Sequence, residues 1–342
     1  MIRIRDIAAK LELSRVTVSA ILNNRYKKLG ISEKTALRVR ACAKDLGYVP
    51  DQNALSMKEG RSMTIGMISS ALSEGWGARI MVGALQALKG SPYRLRIEAV
   101  RGAAEEKLAL ESLLGSRIEG LFCCNINPTP ETDSFFKTAT ERYKVAVASS
   151  NCAFTFPHLR VESDNQGGVE QLMQNLIALG HQKIAHLGGD ELSEASRERC
   201  QAFTDCLHKH HLESKECPIL LTDWDLEKVR NKTRALLTNK NKPSAILCAN
   251  DTIAACALQV AHAMKISVPD QLSIVGMTDE RISSLTIPLM TTVAIPWEKI
   301  GGDAIRTLLK AIEEKSPQPK AELICHKSSI LKRESTATPS GC

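Results

Sequence analysis

Residues 2–24, IRIRDIAAKLELSRVTVSAILNN, followed by residues 31–48, ISEKTALRVRACAKDLGY, decide how the amino-terminal part of this chain folds. From Ile4, the apolar residues Ile7, Ala8 and Leu11 recur at helical spacing with Asp6 near the positive helix end, and the pattern stops around Glu12. Ser14 can cap a second helix through its hydroxyl, with Val18, Ile21 and Leu22 facing inward and Arg15, Val16 and Ala20 outward. Ser32 can cap a third, with Val39, Ala43 and Leu46 as its inner stripe and Gly47 as its end. Three short helices with a tight break between the first two form a helix-turn-helix candidate. A helix fits the major groove of DNA and its first turn reaches base edges. Arg15 can then donate two hydrogen bonds to guanine, while Val16 and Ala20 can offer apolar contact to a thymine methyl. The run Arg25, Tyr26, Lys27 and Lys28 is expected over phosphates, its alternative being a solvated loop.

Charge supports the same division. Residues 1–62 carry 13 Lys and Arg against 6 Asp and Glu, whereas residues 63–342 carry 32 of each. The whole positive excess sits in the first fifth of the chain, which is the footprint of a phosphate-binding head on a neutral body. The full length of 342 residues exceeds one ordinary domain, so a small unit and a larger bilobed one are expected. The 11 cysteines follow no framework spacing, and the adjacent Cys123 and Cys124 suit neither a bridge nor a CxxC metal site. Cys248 and Cys256 lie in apolar periodic stretches and read as buried thiols, so a reducing cytoplasm is expected. Residues 1–11 lack an apolar signal core and no run of eighteen apolar residues occurs, which disfavours export and membrane spanning.

With Asp6-Ile7-Ala8, Leu13-Ser14-Arg15, Thr17-Val18-Ser19 and Leu22-Asn23 in this order, the first fifty residues resemble the headpiece of the LacI (lactose repressor) family. The resemblance implies a DNA-binding set of Ser14, Arg15, Val16, Thr17, Ser19, Ala20, Asn23, Arg25, Lys27 and Lys28. Three departures stand out: Glu12 occupies a turn position where the family has glycine, Ala20 replaces a common arginine, and the loop before Ser32 is about three residues longer. Residues 48–64, YVPDQNALSMKEGRSMT, read as a linker with room for one short helix at about 52–58. Such a segment is too short to be helical alone and would fold on DNA beside its twin. The resemblance puts Met57 where the family inserts a leucine between base pairs of the minor groove, with Ala54 also in contact; the alternative for Met57 is packing within the hinge pair.

Beyond the linker, strands at 64–69, 94–99, 120–124, 144–148, 183–187, 245–249 and 273–275 alternate with helices at 79–88, 105–114, 171–179, 199–207 and 253–264. This alternation implies doubly wound parallel sheets, with enough chain for two Rossmann-like lobes. LGHQKIAHLGG (179–189), RCQAF (199–203), CAND (248–251), VPDQLSIVG (268–276), Met290-Thr291-Thr292 and KREST (332–336) extend the resemblance across the body. The implied fold is an all-α headpiece (1–49), a hinge (50–63) and a periplasmic-binding-protein-like α/β core (64–342). Lobe 1 is expected at about 64–160 and 291–322, lobe 2 at about 161–290 and 323–342, with crossings near 160, 290 and 323.

Ligands of open parallel sheets bind at the carboxyl ends of strands, so the interlobe cleft is the expected effector site. Arg199 matches the family arginine that holds ligand hydroxyl or carboxyl groups; its alternative is a surface ion pair. Trp76 and Trp224 can stack on a sugar face or belong to the core. Asn250 can give a donor and an acceptor to a hydroxyl, while the neighbouring Asp251 is expected to cap a helix. Asp164 matches a family aspartate at a lobe junction, with a structural role or a ligand contact both open. With Ser69 and Thr278, these residues describe a hydroxyl-rich site consistent with a sugar.

No GxSxG, HExxH, Walker or dinucleotide glycine motif occurs, and the scattered Asp164, Asp251 and Asp279 form no evident acid pair. The expectation is therefore a non-enzymatic regulator without metal or cofactor. Its partners would be a pseudo-palindromic double-stranded operator, a small effector of the sugar class, and a second copy of itself. A cytoplasmic sugar-binding protein or an enzyme without DNA regulation is the alternative.

Overall fold

The computed structural model describes residues 2–49, 61–152, 154–212, 214–314 and 322–339. Two compact units divide the chain, Met1–Ser62 and Met63–Cys342. In the first, helices α1 (Ile4–Leu11), α2 (Arg15–Leu22) and α3 (Glu33–Asp45) close on a core in which Ile7, Val18, Ile21, Ala36 and Val39 are fully buried. The caps lie at the expected hydroxyls: Thr17 N donates to Ser14 Oγ at 3.0 Å and Thr35 N to Ser32 Oγ at 3.2 Å. Glu12 ends α1 in the left-handed region, φ 55° and ψ 39°, and turns the chain into α2. The expected hinge helix, with Ala54 and Met57, lies outside the described residues.

The second unit holds two parallel sheets. Strands β1 (Thr64–Ser69), β2 (Arg94–Ala99), β3 (Gly120–Cys124), β4 (Ala146–Ser150), β5 (Leu159–Ser163) and β11 (Glu322–His326) make the first, in the order β11-β5-β4-β3-β1-β2. Strands β6 (Ile184–Gly188), β7 (Ile219–Leu221), β8 (Ala245–Cys248) and β9 (Ser273–Val275) make the second, in the order β7-β6-β8-β9. Helices α4 (Gly75–Ala87), α5 (Ala103–Gly115), α6 (Pro130–Tyr143) and α11 (Trp297–Glu313) accompany the first sheet. The second has α7 (Asn165–Ala178), α8 (Glu194–Lys209), α9 (Leu226–Thr238) and α10 (Asp251–Ala263). An antiparallel ribbon of β10 (Thr292–Ala294) and β12 (Ser329–Leu331) links the lobes.

One boundary differs from expectation. The family resemblance implies that residues 323–326 belong to lobe 2, yet β11 runs parallel to β5, pairing Glu322 with Leu159 and His326 with Ser163. The last crossing therefore comes after His326, because the edge of the first sheet takes that strand before the chain returns. Within lobe 1, α4 and α11 approach closely through glycine: a Cβ on Gly83 would stand 1.9 Å from Glu298 O and one on Gly301 2.0 Å from Ile80 O. This packing holds Trp76 and Trp297, both on these helices, at one end of the lobe.

Candidate functional site

The first candidate surface is the start of α2. Arg15 and Val16 lie exposed on its first turn, Val16 at 72% exposure, which leaves its methyls free for contact. Ser14 is committed to the cap and to Thr17 Oγ1 at 2.8 Å, and the Asn23 amide donates to Ser19 O at 2.8 Å, so these residues shape the helix ends. Lys27 and Lys28 are exposed on the short turn after the helix, and Arg25 is exposed beside them.

Two residues turn away from their expected positions. Ala20 is buried, because the chain after α2 folds back and Arg25 N donates to Ala20 O at 2.8 Å. Tyr26 leaves the phosphate run for the core: its hydroxyl donates to Glu33 Oε2 at 2.6 Å and the Arg40 guanidinium stands 5.3 Å above its ring.

The second candidate is a cavity of about 440 Å³ between the two lobes. Residues just past the carboxyl ends of six strands build its wall: Ser70 after β1, Asn125 after β3, Asn151 after β4, Asp190 after β6, Asn250 after β8 and Thr278 after β9. Asn125 and Asn151 sit in the left-handed region at φ 57° and 54°, which asparagine tolerates better than most residues. Sequence reasoning misses both, as it misses Asn127, Ser193 and Trp297, which also line the cavity. The available signal is a polar residue directly after an apolar strand.

Of the expected effector residues, Trp76, Arg199, Trp224, Asn250 and Thr278 line this cavity together. Ser69 does not; it is buried, its Oγ accepts from Ala71 N at 3.1 Å, and the alternation of the strand puts Ser70 on the cavity side. Arg199 is buried and, among the described residues, forms no ion pair: Nε donates to Asn165 Oδ1 at 2.9 Å and Nη1 to Ala249 O at 2.5 Å. Burial lowers its pKa to about 10, so it remains a cation at neutral pH. Asn165 is itself held by donating to Glu198 Oε2 at 2.7 Å, which fixes the guanidinium toward the cavity.

All three tryptophans of the chain reach this one cavity. Trp76 lies 5.0 Å from Trp297, whose Nε1 donates to Thr278 O at 3.2 Å across the lobes. Trp224 stands on the opposite lobe at φ 58°, against Gly189. Aromatic faces from both lobes with amide, hydroxyl and guanidinium donors between them suit a flat, polyhydroxylated molecule.

The cap expected of Asp251 belongs to its neighbour, since Asn250 Oδ1 accepts from Ile253 N at 2.8 Å. Asp251 is instead fully buried and accepts from Thr292 Oγ1 at 2.5 Å and Glu280 N at 2.6 Å, tying α10 to the crossing strand β10. Burial raises its pKa to about 7. Asp164 caps α7, accepting from Gly167 N at 2.8 Å. Thr278 holds φ 108°, an uncommon value for a β-branched residue and a form of strain that concentrates at functional sites. Further polar contacts span the lobes beside the Trp297–Thr278 bond: Arg160 Nη2 to Glu194 Oε1 at 2.8 Å and Arg79 Nη1 to Asp279 O at 3.4 Å.

Known proteins resemble the chain in both parts. Residues 3–51 match the model described as bacterial regulatory proteins, lacI family, and residues 173–336 match the periplasmic binding protein-like domain. The Probable HTH-type transcriptional repressor ExuR of Bacillus subtilis (strain 168) is 28% identical over 339 residues, covering 98% of both chains. The HTH-type transcriptional regulator CelR of Thermobifida fusca is 25% identical over 323 residues, covering 92% of both. Among solved structures, the lac repressor dimer bound to operator and the anti-inducer ONPF superposes with a TM-score of 0.87 at 24% identity, covering 98% of this chain and 99% of that one. A transcriptional regulator CelR–cellobiose complex superposes at 0.73 with 24% identity, covering 98% and 100%. At these identities the structures establish the fold.

Proposed function

We propose that the chain is a member of the lacI family of bacterial regulatory proteins and a repressor that holds a pseudo-palindromic operator as a homodimer until a sugar-class effector enters the interlobe cleft. One observation carries the reading: the cavity gathers residues from the ends of six parallel strands, from both sheets, in a chain whose first unit exposes Arg15 and Val16 on a capped helix. Arg15 and Val16 read base edges, while Lys27 and Lys28 hold phosphates. A single short helix reads few base pairs, so two copies related by a two-fold axis are required.

In the cleft, Trp76 and Trp224 stack on the sugar ring, the buried Trp297 backs Trp76, and Arg199, Asn125, Asn151 and Asn250 hold the hydroxyls. Ligand alters operator affinity only through unequal affinity for the open and closed lobe arrangements. The cross-lobe pairs Arg160–Glu194 and Arg79–Asp279 supply contacts whose strength depends on that arrangement. The protein acts as a regulator and catalyses no reaction. It works in the cytoplasm, where its operator lies and where thiols stay reduced; every described cysteine is a free thiol. Among the described residues no helix is long and apolar enough to cross a membrane.

The test combines selection of genomic duplexes by the full chain with a thermal-shift panel of sugars. Expected are a palindromic consensus, binding that weakens steeply with salt, and a sugar that both raises the melting temperature and changes operator affinity. A chain that retards no duplex at moderate salt, with or without sugars, overturns the reading.

A further inference from the structure

Lobe 1 has a second concavity, remote from the cleft. A groove of about 760 Å³ opens between α5 and α6. Ile118, Ala139 and Val145 form its buried floor, and the half-buried Leu114 and Phe135 continue it toward solvent. Its position is fixed by the strands. Ile118 and Val145 precede the amino ends of β3 and β4, whereas the cleft residues Asn125 and Asn151 come after their carboxyl ends. The two cavities therefore lie at opposite ends of the same strands, about 17 Å apart for strands of this length.

The rim is cationic. Arg117 and Arg142 line the groove against a single carboxylate, Glu111, and the Lys107 ammonium stands 5.2 Å from the Phe135 ring. Among the described residues neither arginine forms an ion pair or a side-chain hydrogen bond, so both guanidiniums keep their full donor set. Arg117 occupies the left-handed region at φ 56°, where a glycine or asparagine would be easier to hold. Tyr143, 57% exposed, adds an aromatic face with the Arg142 guanidinium 5.9 Å from its ring. The groove also has unused room: no heavy atom comes within 4 Å of a Cβ built on Gly115, the last residue of α5.

We propose that this groove is a ligand site for a small amphipathic organic anion, an apolar or aromatic body bearing one carboxylate or sulfonate. The apolar floor takes the body, and Arg117 and Arg142 take the charge by forked hydrogen bonds. Its volume falls in the range of small-molecule sites, and a protein partner would need several times more apolar surface than the groove offers. The site is independent of the sugar cleft and gives the regulator a second chemical input. Glu119, next to Arg117 and Ile118 in the chain, accepts from Met63 N at 2.9 Å, so the groove adjoins the point where the chain enters lobe 1.

The probe is 8-anilinonaphthalene-1-sulfonate with the full chain, compared with the uncharged N-phenyl-1-naphthylamine, which keeps the same aromatic body. One equivalent of the sulfonate is expected to bind with enhanced emission, decanoate to displace it, and the uncharged dye to bind at least about tenfold more weakly. Arg117→Ala and Arg142→Ala are each expected to weaken it about tenfold. Gly115→Leu points a side chain into open space, so it should melt like the parent chain while abolishing binding. Trp224→Ala, in the cleft, should leave binding unchanged. Equal affinity for the uncharged dye overturns the proposal, as does unchanged binding in Arg117→Ala and Gly115→Leu. So does loss of binding in Trp224→Ala, which would put the dye in the cleft, or failure of both sulfonate and decanoate to bind at millimolar concentration.

Discussion

The Trp224 indole fills the space that a side chain on Gly189 would need: a Cβ there would stand 2.0 Å from Trp224 Cζ2. Gly189 is thus the seat on which lobe 2 carries its aromatic wall. The turn is tied down further by Thr222 N and Asp223 N, each donating to Gly189 O at 3.0 Å. Gly189→Ala should expel the indole from its position, red-shift tryptophan emission and weaken binding of the sugar selected by the panel by roughly tenfold or more. The melting temperature should fall little, because the displaced ring can move into the cavity. Calorimetric titration checks this; unchanged affinity would remove Trp224 from the ligand-holding set.

Arg15 and the lysines after α2 should separate into two kinds of contact. Arg15→Ala is expected to cost about 1–3 kcal/mol at one base-pair position and to relax preference there. Lys27→Ala and Lys28→Ala should weaken all duplexes alike and reduce the slope of log affinity against log salt by about one each. Titrating the selected operator and its single-base variants across a salt series measures both. A uniform loss for Arg15→Ala would make it a phosphate contact.

The left-handed backbone at Glu12 is a local cost at the turn between α1 and α2. Replacing it by glycine should remove about 1 kcal/mol of strain, offset in part by the greater freedom of the unfolded chain. Glu12→Gly is expected to slow hydrogen exchange of α1 and α2 amides in the full chain without changing exchange in the lobes. Faster exchange would mean that the turn is held for another reason.

Much of this architecture is legible in the residues themselves, and the exceptions have physical causes. Serine hydroxyls before apolar stripes mark the starts of α2 and α3, and continuous apolar runs mark β1, β3 and β8. β5 is hidden because Arg160 and Glu162 interrupt its apolar pattern. They are tolerated inside a sheet because Arg160 Nε lies 3.4 Å from Glu162 Oε1 and Glu162 Oε2 accepts from Asn151 N at 2.8 Å. α11 is hidden by Pro296 and by the Gly301-Gly302 pair, which reads as a loop but permits the close packing on α4. Sequence alone favours Ser69 over Ser70 wrongly, because strand alternation fixes which neighbour faces the cavity only once the end of the strand is known. The asparagines escape because a lone polar residue after a strand is common, and only the meeting of several in space distinguishes them.

Asp251 should make stability depend on pH. Its ordinary pKa of 3.8 rises to about 7 in the folded chain, so between those values the folded state keeps a proton that the unfolded state has released. Stability from this group is greatest at low pH and is lost as pH rises toward 7. Other buried groups titrate nearby, including His186, whose lowering to about 4 acts in the opposite direction, so the comparison must be with a variant. Asp251→Asn should flatten the fall between about pH 5 and 7. It should also lower stability at pH 5 by roughly 1–3 kcal/mol, since one acceptor for Glu280 N or Thr292 Oγ1 is lost. Parallel denaturant titrations across this range measure the difference; parallel slopes would show that Asp251 is not protonated in the folded state.

Ile287 is 96% exposed and Leu285 68%, on a segment that also carries the partly exposed Ile282 and Leu289. This is an ordered apolar projection: Leu289 N donates to Glu334 Oε2 at 3.1 Å, and Arg333 Nη1 donates to Ser283 Oγ at 2.8 Å. Four aliphatic side chains held in water by a braced loop are best explained by a partner surface, and a repressor that reads a palindrome needs a second copy. Leu285→Glu with Ile287→Glu should shift the chain toward monomer in sedimentation analysis at micromolar concentration and leave the fold of each copy intact. Operator affinity should fall with it, because each monomer then binds one half-site alone and loses the gain from tethering two headpieces. A variant that stays dimeric would place the subunit contact elsewhere on the lobes.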